Sequence, residues 1–277
     1  MPFATFVKDI QDKMSLNRLS KSAIISVLPM ELIRWEAHYY PTLDSTQTRA
    51  GEIFRREGRG GIFVATNFQG TGRGREGSPW TAPRGQALLF SFILLPGHAD
   101  LQIHLLTITT ALAVCNALRL HLALAPEVKW PNDVLLNGKK VCGILTEMVK
   151  SDTKEPGVIV GVGLNVNQRA KDFSSPLTET ATSLRLVKGR LIPRIPLLGA
   201  IMRSFEEYYF LYQKGERGEI IRGWKRDSAM LGRRVSLRSG RREVQGTVID
   251  LADNGALVLR LDTGRTESFL GSDCRYI

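Results

Sequence analysis

The chain has 277 residues, of which 43% are hydrophobic and 23% are charged, so it can bury a sizeable core and is neither disordered nor fibrous. Domains usually hold roughly 100–200 residues, so one large domain and one small one is the expected division. The formal net charge of +11 suits a nucleic acid or small anionic substrates, but the basic residues fall in short scattered pairs that are usually solvated surface. Charge alone therefore does not choose a function class.

Cysteine usage and hydropathy indicate the compartment. The three cysteines, Cys115, Cys142 and Cys274, lie far apart, have no zinc-ligand spacing and are odd in number. A reducing cytoplasm is the simplest explanation. Residues 1–13 carry charges within any apolar run, which excludes a secretory signal, and no uncharged apolar run approaches the ~18 residues of a membrane helix. We therefore expect a soluble, cytoplasmic protein that is not bound to a membrane.

Periodicity and turn residues predict the elements of the first hundred residues. Residues 1–30 predict a weakly helical segment that ends at Pro29, too short for a separate DNA-binding module with its own core. Residues 44–46 are good helix N-cap types. The stretch that follows, 47–58, predicts a helix that ends at its last residue, a glycine. Strands are predicted at 36–40, 61–69 and 86–95.

The middle of the chain alternates helical and strand patterns. Residues 101–122 repeat apolar residues at helical spacing and predict a long, largely buried helix. The type I′ turn signal Asn137–Gly138 predicts a hairpin over 134–149. Residues 168–190 are polar and are predicted to be irregular. Also predicted are a short strand at 127–130, a buried strand at 157–167 and a helix at about 194–213.

The composition changes near residue 228. From there to the end, polar and apolar residues alternate, with turn signals at Ser239–Gly240, Asn254–Gly255 and Thr263–Gly264. Short strands at a spacing of ~8–12 residues predict a small β-barrel or sandwich. The expected division is an extension at 1–34, a mixed α/β catalytic domain at 35–227 and a β-domain at 228–277.

A glycine-rich loop, GTGRGREGSPW at 70–80, satisfies the dinucleotide-binding pattern G-x-G-x-x-G. That turn must lead directly into a helix whose N-terminus receives the pyrophosphate. Pro79 and Pro83 follow at once and disfavour a helix. Asp100 falls near the distance expected for the ribose-binding carboxylate, but a single acid at a loose distance is weak support. The sequence therefore argues against a dinucleotide turn, and the P-loop pattern is absent.

The same loop has the features of a different anion site. Glycines let the backbone approach a ligand closely, and Arg73 and Arg75 face the same way in an extended chain. Guanidinium groups suit carboxylate and phosphate because they donate paired hydrogen bonds in a plane. An exposed basic turn on a basic protein is an equally good interpretation of the loop alone.

Three further segments carry polar groups at the ends of predicted elements. They are Asp44-Ser45-Thr46, EVKWPND at 127–133 and GVGLNVN at 161–167. Taken singly, each is better explained by a helix cap, by a surface lysine before a hairpin, or by a satisfied strand end. Their order along the chain, together with the glycine loop, is what distinguishes this sequence.

In that order the segments resemble the biotin protein ligases, enzymes that adenylate biotin and attach it to a carrier lysine. The resemblance covers about residues 35–277 and is strongest in LDST (43–46), FQGTGRGREGSPWTAP (68–83), EVKWPNDVLLNGKKVCGILTEM (127–148) and GVGLNVN (161–167). It implies an α/β fold in which a mixed, mainly antiparallel sheet is flanked by helices, related to the class II aminoacyl-tRNA synthetases. It also implies a C-terminal SH3-like barrel.

The resemblance implies roles for individual residues around biotin. Ser45, Thr46 and Gln69 match positions that meet the ureido head, and Arg73 lies in the loop that closes over the carboxylate and the α-phosphate. Lys129 matches the lysine that contacts the reacting carboxyl and phosphate oxygens. The implied biotin-binding set is Ser45, Thr46, Gln47, Gln69, Gly72, Arg73, Lys129 and Gly143.

The resemblance also implies a nucleotide site. Trp80 and Asn165 match positions near the adenine, and Arg275 aligns with an arginine that reaches the nucleotide. The implied ATP-binding set is Arg73, Gly74, Arg75, Trp80, Asn132, Asn165 and Arg275. The implied catalytic set is Arg73, Arg75 and Lys129.

Departures from the family pattern leave every reactive group in place. The usual Ser-Thr-Asn ends in Gln47 here, which keeps an amide on a longer arm. Glu76 and Ser78 stand where many relatives carry basic residues, and Cys142 replaces a small residue before Gly143. The short N-terminal extension leads us to expect a ligase without operator binding.

The implied cofactors are ATP and Mg²⁺, with the metal held mainly by phosphates and no metal ligand set in the protein. The substrate supplies the nucleophile, so His38, His98, His104 and His121 are expected to be structural or solvated. The expected partner is a biotin carboxyl carrier protein of acetyl-CoA carboxylase, with no specific DNA, and the chain is expected to be a monomer or homodimer. Two alternatives stay open, namely a lipoate or octanoate ligase on the same fold and, less favoured, a basic nucleic-acid-binding module.

Overall fold

The structure is a computed structural model that describes residues 17–96, 102–151, 155–239, 242–271 and 273–277. The predictions for residues 1–16, His98, Asp100 and the turn residue Gly240 lie outside these ranges. Two sheets, one of seven strands and one of five, organise the described residues.

The elements that the sequence patterns predict follow one another in the predicted order, and further helices lie between them. The helices are α1 (Lys21–Ile25), α2 (Thr46–Glu57), α3 (Ile103–Leu122), α4 (Leu177–Thr180), α5 (Leu184–Lys188), α6 (Arg194–Gln213) and α7 (Arg217–Asp227). The strands of the first sheet are β1 (Glu36–Tyr40), β2 (Ile62–Thr66), β3 (Ala87–Leu94), β4 (Glu127–Lys129), β5 (Asp133–Leu136), β6 (Lys139–Val149) and β7 (Gly157–Asn165). Those of the second sheet are β8 (Arg234–Ser239), β9 (Arg242–Leu251), β10 (Leu257–Leu261), β11 (Thr266–Phe269) and β12 (Asp273–Tyr276).

The seven-stranded sheet is mixed and mainly antiparallel, as predicted. Its strand order is β1-β2-β3-β7-β6-β5-β4, and only β1 and β2 pair in parallel. The hairpin from β5 to β6 turns at Asn137 and Gly138, both with positive φ, which is the type I′ geometry that the Asn-Gly pair predicts.

Helices cover both faces of this sheet because side chains alternate along each strand. Ile62 of β2 packs with Phe54 of α2 in one apolar cluster. The next residue, Phe63, belongs to the main core with Phe92 and with Phe205 of α6. The Phe92 and Phe205 rings lie 4.6 Å apart between centroids. The first sheet is therefore the central layer of three.

Helix α3 is the core helix. It corrects the expectation that no apolar run approaches the length of a membrane helix. It is long and apolar enough to meet the length and composition of a membrane span, although no such run was expected from the sequence. Most of that window, 72%, is buried inside the protein. Its buried hydroxyls are satisfied within the helix, because Thr109 donates to the Leu105 carbonyl at 2.8 Å and Thr110 to that of Leu106 at 2.9 Å. The burial is that of a core helix.

The five-stranded sheet is antiparallel, in the order β11-β10-β9-β8-β12, and its core is continuous with that of the first sheet. The Trp130 indole donates to the Gly255 carbonyl at 3.0 Å. Gly255 has a φ of 81°, and a Cβ there would lie 2.7 Å from the Leu105 backbone nitrogen. This turn is therefore pressed against the start of α3, which lies beside the candidate site described below.

Two local predictions were wrong or incomplete. Residues 168–190 were expected to be irregular, yet they contain α4 and α5. Helix α5 is capped by the Ser183 hydroxyl, which accepts from the Leu186 amide, and it ends at Gly189 in the left-handed region. Helix α7 was missed because its charged residues mask a buried face formed by Ile220, Ile221 and Trp224.

Candidate functional site

A pocket of about 460 Å³ opens beside the first sheet, and we call it the central pocket. The start of α2, the glycine-rich loop, the turn before β5, and strands β6 and β7 line it. Ten of the residues predicted from the sequence are in its lining, namely Ser45, Thr46, Gln47, Gln69, Arg73, Gly74, Arg75, Trp80, Asn132 and Gly143.

The N-terminus of α2 forms the polar end of the central pocket. Ser45 caps this helix by accepting a hydrogen bond from the Thr48 amide. Gln69 Oε1 accepts from the Thr46 amide at 2.8 Å and lies 3.0 Å from the Thr46 hydroxyl. That hydroxyl is also 2.8 Å from the Ser91 hydroxyl of β3. Hydroxyl and amide groups therefore converge on one small polar surface.

Glycines on adjacent strands form the floor of the central pocket, with the Trp80 indole against them. Gly143 of β6 pairs with Gly163 of β7. A Cβ on Gly163 would lie 2.5 Å from Trp80 Cε2, and one on Gly143 would lie 2.9 Å from Cζ3. The indole rests on the two strands only because both residues lack side chains. Its Nε1 is buried and has no hydrogen-bond partner among the described residues, so it can donate to a ligand.

The glycine-rich loop is a folded turn and not a helix start. The Gly74 amide donates to the Ser78 carbonyl at 2.7 Å, and the Trp80 amide donates to the Gly72 carbonyl at 2.8 Å. A Cβ on Gly72 would lie 2.3 Å from the Trp80 carbonyl oxygen. Only a short 3₁₀ turn at Arg75–Gly77 follows. The pyrophosphate-binding helix of a dinucleotide site is therefore missing at this loop, in agreement with the sequence argument.

The two arginines of the loop both line the central pocket but have different partners. Arg73 is half exposed, with its Nη2 atom 3.9 Å from the Glu147 carboxylate. Arg75 is more buried and donates to the Gly271 carbonyl of the C-terminal sheet. A guanidinium carries five N–H donors, so this bond leaves donors on Arg75 for an anion in the pocket.

The lysine that reaches the central pocket is Lys140, which belongs to one of the scattered basic pairs, Lys139–Lys140, that were expected to be solvated surface. Strand β6 has one extra residue at Val141, because Val134 pairs with Cys142 while Leu135 pairs with Lys140. In a regular strand, residues 140 and 143 would point to opposite faces. The bulge brings both into the pocket lining, where Lys140 Nζ lies 2.6 Å from the Asp133 carboxylate. It is also 5.6 Å from the centroid of the Trp80 ring.

Four predicted residues are not in the lining of the central pocket. Lys129 has its Nζ 5.1 Å from the Tyr276 ring centroid and is absent from the pocket lining. Asn165 is buried, donates to the Thr182 carbonyl at 3.1 Å and accepts from Gln168 at 2.7 Å. Arg275 lines a separate small cavity in the C-terminal sheet. Gly72 lies outside the lining but packs closely against Trp80, which is part of it.

Two other ionisable groups near the central pocket have shifted pKa values. Burial raises the pKa of the Cys142 thiol well above its ordinary value, so this residue is not a thiolate nucleophile. Burial, and then the neighbouring Arg75 cation, lower the pKa of His104. Among the described residues there is also no group of three or more His, Cys, Asp or Glu side chains that could hold a metal ion. The charges that remain beside the pocket are those of Arg73, Arg75 and Lys140, with the acids Glu76, Asp133 and Glu147.

The comparisons with known proteins define first a class and then a family. The family model for the biotin/lipoate A/B protein ligases matches residues 39–165, and that for the biotin protein ligase C-terminal domain matches residues 230–275. The chain therefore has both the ligase domain of this class and the C-terminal domain of the biotin protein ligases.

Individual relatives narrow the class. The bifunctional ligase/repressor BirA of Bacillus subtilis is 32% identical over 89% of this chain and 76% of its own length. The biotin–[acetyl-CoA-carboxylase] ligase of Paracoccus denitrificans is 32% identical over 74% of this chain and 87% of its own length. The Aquifex aeolicus biotin protein ligase in complex with biotin and ATP superposes with a TM-score of 0.75 at 28% identity, covering 87% of this chain and 99% of that one. The chain belongs to the biotin protein ligase family.

Proposed function

We propose that this chain adenylates biotin with ATP and then transfers it to a lysine of the biotin carboxyl carrier protein of acetyl-CoA carboxylase. The observation that carries the proposal is the central pocket itself, where a polar end suited to the ureido ring meets a cationic end suited to carboxylate and phosphate. The relatives named as biotin ligases support the same substrates.

The cationic groups of the pocket reduce the charge repulsion in the first step, the adenylation of biotin. The biotin carboxylate must attack the α-phosphate of ATP, and the two anions repel each other. Arg73, Arg75 and Lys140 offset that repulsion and stabilise the charge of the transition state. We assign to Lys140 the contact with the reacting oxygens that the sequence resemblance suggested for Lys129. Mg²⁺, carried mainly by the ATP phosphates, would neutralise further charge when bound.

The pocket also protects the intermediate. Biotinyl-AMP is a mixed anhydride that water would hydrolyse. The Trp80 indole lies against the glycine floor and the glycine-rich loop lines the same pocket, so both would keep water from a bound intermediate. The carrier lysine then attacks the acyl carbon, the bond to phosphate breaks and AMP leaves. No nucleophilic side chain of the enzyme is needed.

The polar end distinguishes the proposed substrate from the alternatives. Lipoate and octanoate have no ureido group to hydrogen-bond with the polar end formed by Thr46, Ser91 and Gln69, so they would displace water there without replacing its hydrogen bonds. A nucleic-acid-binding module leaves the glycine floor and the buried Trp80 donor without a purpose.

Mass spectrometry of a carrier protein tests the complete reaction. With ATP, Mg²⁺ and biotin, the carrier gains one biotinyl group on a single lysine and AMP appears in equal amount. Lipoate in place of biotin leaves the carrier unmodified. Modification by lipoate but not by biotin would keep the fold and refute the substrate.

A further inference from the structure

The glycine-rich loop is the tip of a longer connection, residues 67–86, which leaves the first sheet after β2 and returns to it at β3. Its outgoing limb carries Gln69 and its returning limb carries Trp80, and both residues line the central pocket. The position of these two residues therefore depends on how the two ends of the connection are held.

The pairing of β2 with β3 does not reach the two ends. It stops at Thr66 and Leu89. Beyond that point the Gly85 amide donates to the Asn67 carbonyl at 2.9 Å, which joins the limbs to each other. One further group contacts both ends, and it comes from α6.

That group is Arg194, the first residue of α6. Its Nη1 atom donates to the Asn67 side-chain oxygen and to the Ala87 carbonyl, both at 3.0 Å. Its Nε and Nη2 atoms donate to the carbonyl and side-chain oxygens of Asn17. A single planar group thus bridges the first residue of the connection and the first residue of β3.

Arg194 is buried as a cation. It is 3% exposed, and the acceptors that it contacts among the described residues are all uncharged. Burial lowers the pKa of Arg194 to about 10, which still leaves it charged at neutral pH. Because these hydrogen bonds offset the cost of burying a charge, moving either end of the connection away would leave the cation poorly satisfied. The bridge therefore resists a change in the spacing of the two ends.

The neighbours of Asn67 determine which way its amide points. Arg194 can only donate, so the side-chain oxygen of Asn67 faces it. The amide nitrogen of Asn67 donates to the Tyr39 hydroxyl of β1 at 2.7 Å. The bond to Tyr39 holds the outgoing limb alone, whereas the bonds from Arg194 hold both ends and fasten them to a helix.

We infer that Arg194 is a positioning residue for the glycine-rich loop: by bridging Asn67 and Ala87, it sets the spacing of the limbs that place Gln69 and Trp80 against biotinyl-AMP. Arg194 is not in the lining of the central pocket, so it acts through the loop. The inference rests on the proposed function, because biotinyl-AMP is the intermediate of that reaction.

The test is the lifetime of enzyme-bound biotinyl-AMP, measured by trapping after rapid dilution and expressed per active molecule. The burst of pyrophosphate counts the active molecules. Arg194→Lys keeps the charge but lacks the planar fork that spans both ends, and we expect the lifetime to fall roughly five- to tenfold. Asn67→Ala keeps Arg194 and removes one end of the bridge, with a similar loss. The double variant loses no more than Arg194→Lys alone.

Two matched variants keep the bridge and remove other contacts near it. Tyr39→Phe removes the hydroxyl beside Asn67 but leaves the bond from Arg194. Glu206→Gln alters a buried group of the same helix, a carboxylate that accepts from the Trp35 indole at 2.9 Å. A loss of stability in either variant reduces the number of active molecules, yet each active molecule keeps a lifetime within about twofold of the parent.

Trypsin cleavage after Arg73 or Arg75, followed by mass spectrometry on the protein without ligands, gives a readout that does not depend on activity. Loosened limbs expose the loop backbone to the protease. Arg194→Lys and Asn67→Ala should therefore be cut there several times faster than the parent, Tyr39→Phe and Glu206→Gln.

The outcomes separate the inference from the proposed function. Parent-like lifetimes and cleavage in Arg194→Lys and Asn67→Ala overturn the inference and leave the proposed function intact. A loss in Asn67→Ala with a parent-like Arg194→Lys also overturns it, because the charge and not the bridge would then matter. An equal loss in Glu206→Gln overturns it as well, since general instability of α6 would explain every result. A parent chain that forms no biotinyl-AMP overturns the proposed function and, with it, the inference.

Discussion

Lys140 is the residue on which the proposed chemistry depends most. It reaches the central pocket through the bulge at Val141, whereas Lys129 lies against Tyr276. Lys140→Met keeps the length of the side chain and removes the cation. We expect adenylate formation to slow by roughly 10²–10³-fold, the usual loss for one donor to developing oxyanion charge.

Lys129→Met is the matched control, and we expect its rate of adenylate formation to stay within about threefold of the parent. Single-turnover formation of biotinyl-AMP measures both. A slow Lys129→Met with a normal Lys140→Met would return the role to the residue that the sequence resemblance suggested.

At the scale of elements, two partly exposed arginines around one buried carboxylate join α3 to α7. The Asp227 carboxylate accepts from Arg119 at 2.7 Å and from Arg226 at 2.8 Å, and its side chain is 2% exposed. Burial favours its neutral form, but the hydrogen bonds from Arg226 and Arg119 outweigh that and lower the pKa of Asp227. Asp227→Asn should therefore reduce the free energy of unfolding at pH 7 by about 2 kcal/mol.

The direction of the Asp227 pKa shift determines how the difference in the free energy of unfolding depends on pH. A carboxyl group whose pKa is lowered on folding contributes its full stability above its unfolded pKa of about 4, and it loses that stability as the pH falls through the folded value. Urea unfolding of parent and variant should hence converge below pH ~4. Asp262→Asn, at a half-exposed pair with Arg234, should change stability by less than about 0.5 kcal/mol. A difference that persists unchanged in acid would contradict this explanation.

At the scale of the whole molecule, the C-terminal sheet touches the catalytic loop. Gly271, with a φ of 63°, accepts from Arg75, and a Cβ there would lie 2.9 Å from His104 Cε1. Gly271→Ala should therefore disturb Arg75 and shorten the retention of biotinyl-AMP roughly three- to tenfold. His104→Ala in the same chain should restore much of the retention by opening the space.

Gly264→Ala is the matched control for backbone strain, because Gly264 has a φ of 83° and its Cβ would meet nothing within 4 Å. Trapping of released biotinyl-AMP after rapid dilution measures the lifetimes. Equal lifetimes for the Gly264 and Gly271 variants would show that the contact does not matter. The absence of rescue by His104→Ala would show that the steric account is wrong.

Local chemistry made much of this architecture predictable from the sequence. Ser45 and Gly58 define the ends of α2, and Asn137–Gly138 defines a hairpin, because each residue acts on its own backbone. Thr46 and Gln69 at the polar end were implied by the family resemblance, because they lie in its motifs, whereas Ser91 on β3 lies in none of them and was missed. The family and the mixed sheet predicted from these motifs are confirmed.

The remaining features depend on contacts that no local pattern reveals. The bulge at Val141 changes which lysine faces the pocket, and α7 is stabilised by its buried face against the core. Asn165 stands at the strand end where a nucleotide contact was expected, but the surrounding chain uses its amide internally. Glu147 is far from Gln47 in sequence and meets it only across the folded sheet.

The most direct test of the account is ATP–pyrophosphate exchange by the purified chain with Mg²⁺, measured with biotin, with lipoate and with no acid. The account predicts exchange that depends on biotin and that falls strongly in Lys140→Met. Exchange with lipoate alone would contradict the substrate. No exchange in a folded sample would contradict the adenylation chemistry and return Arg73, Arg75 and Lys140 to the role of surface charges.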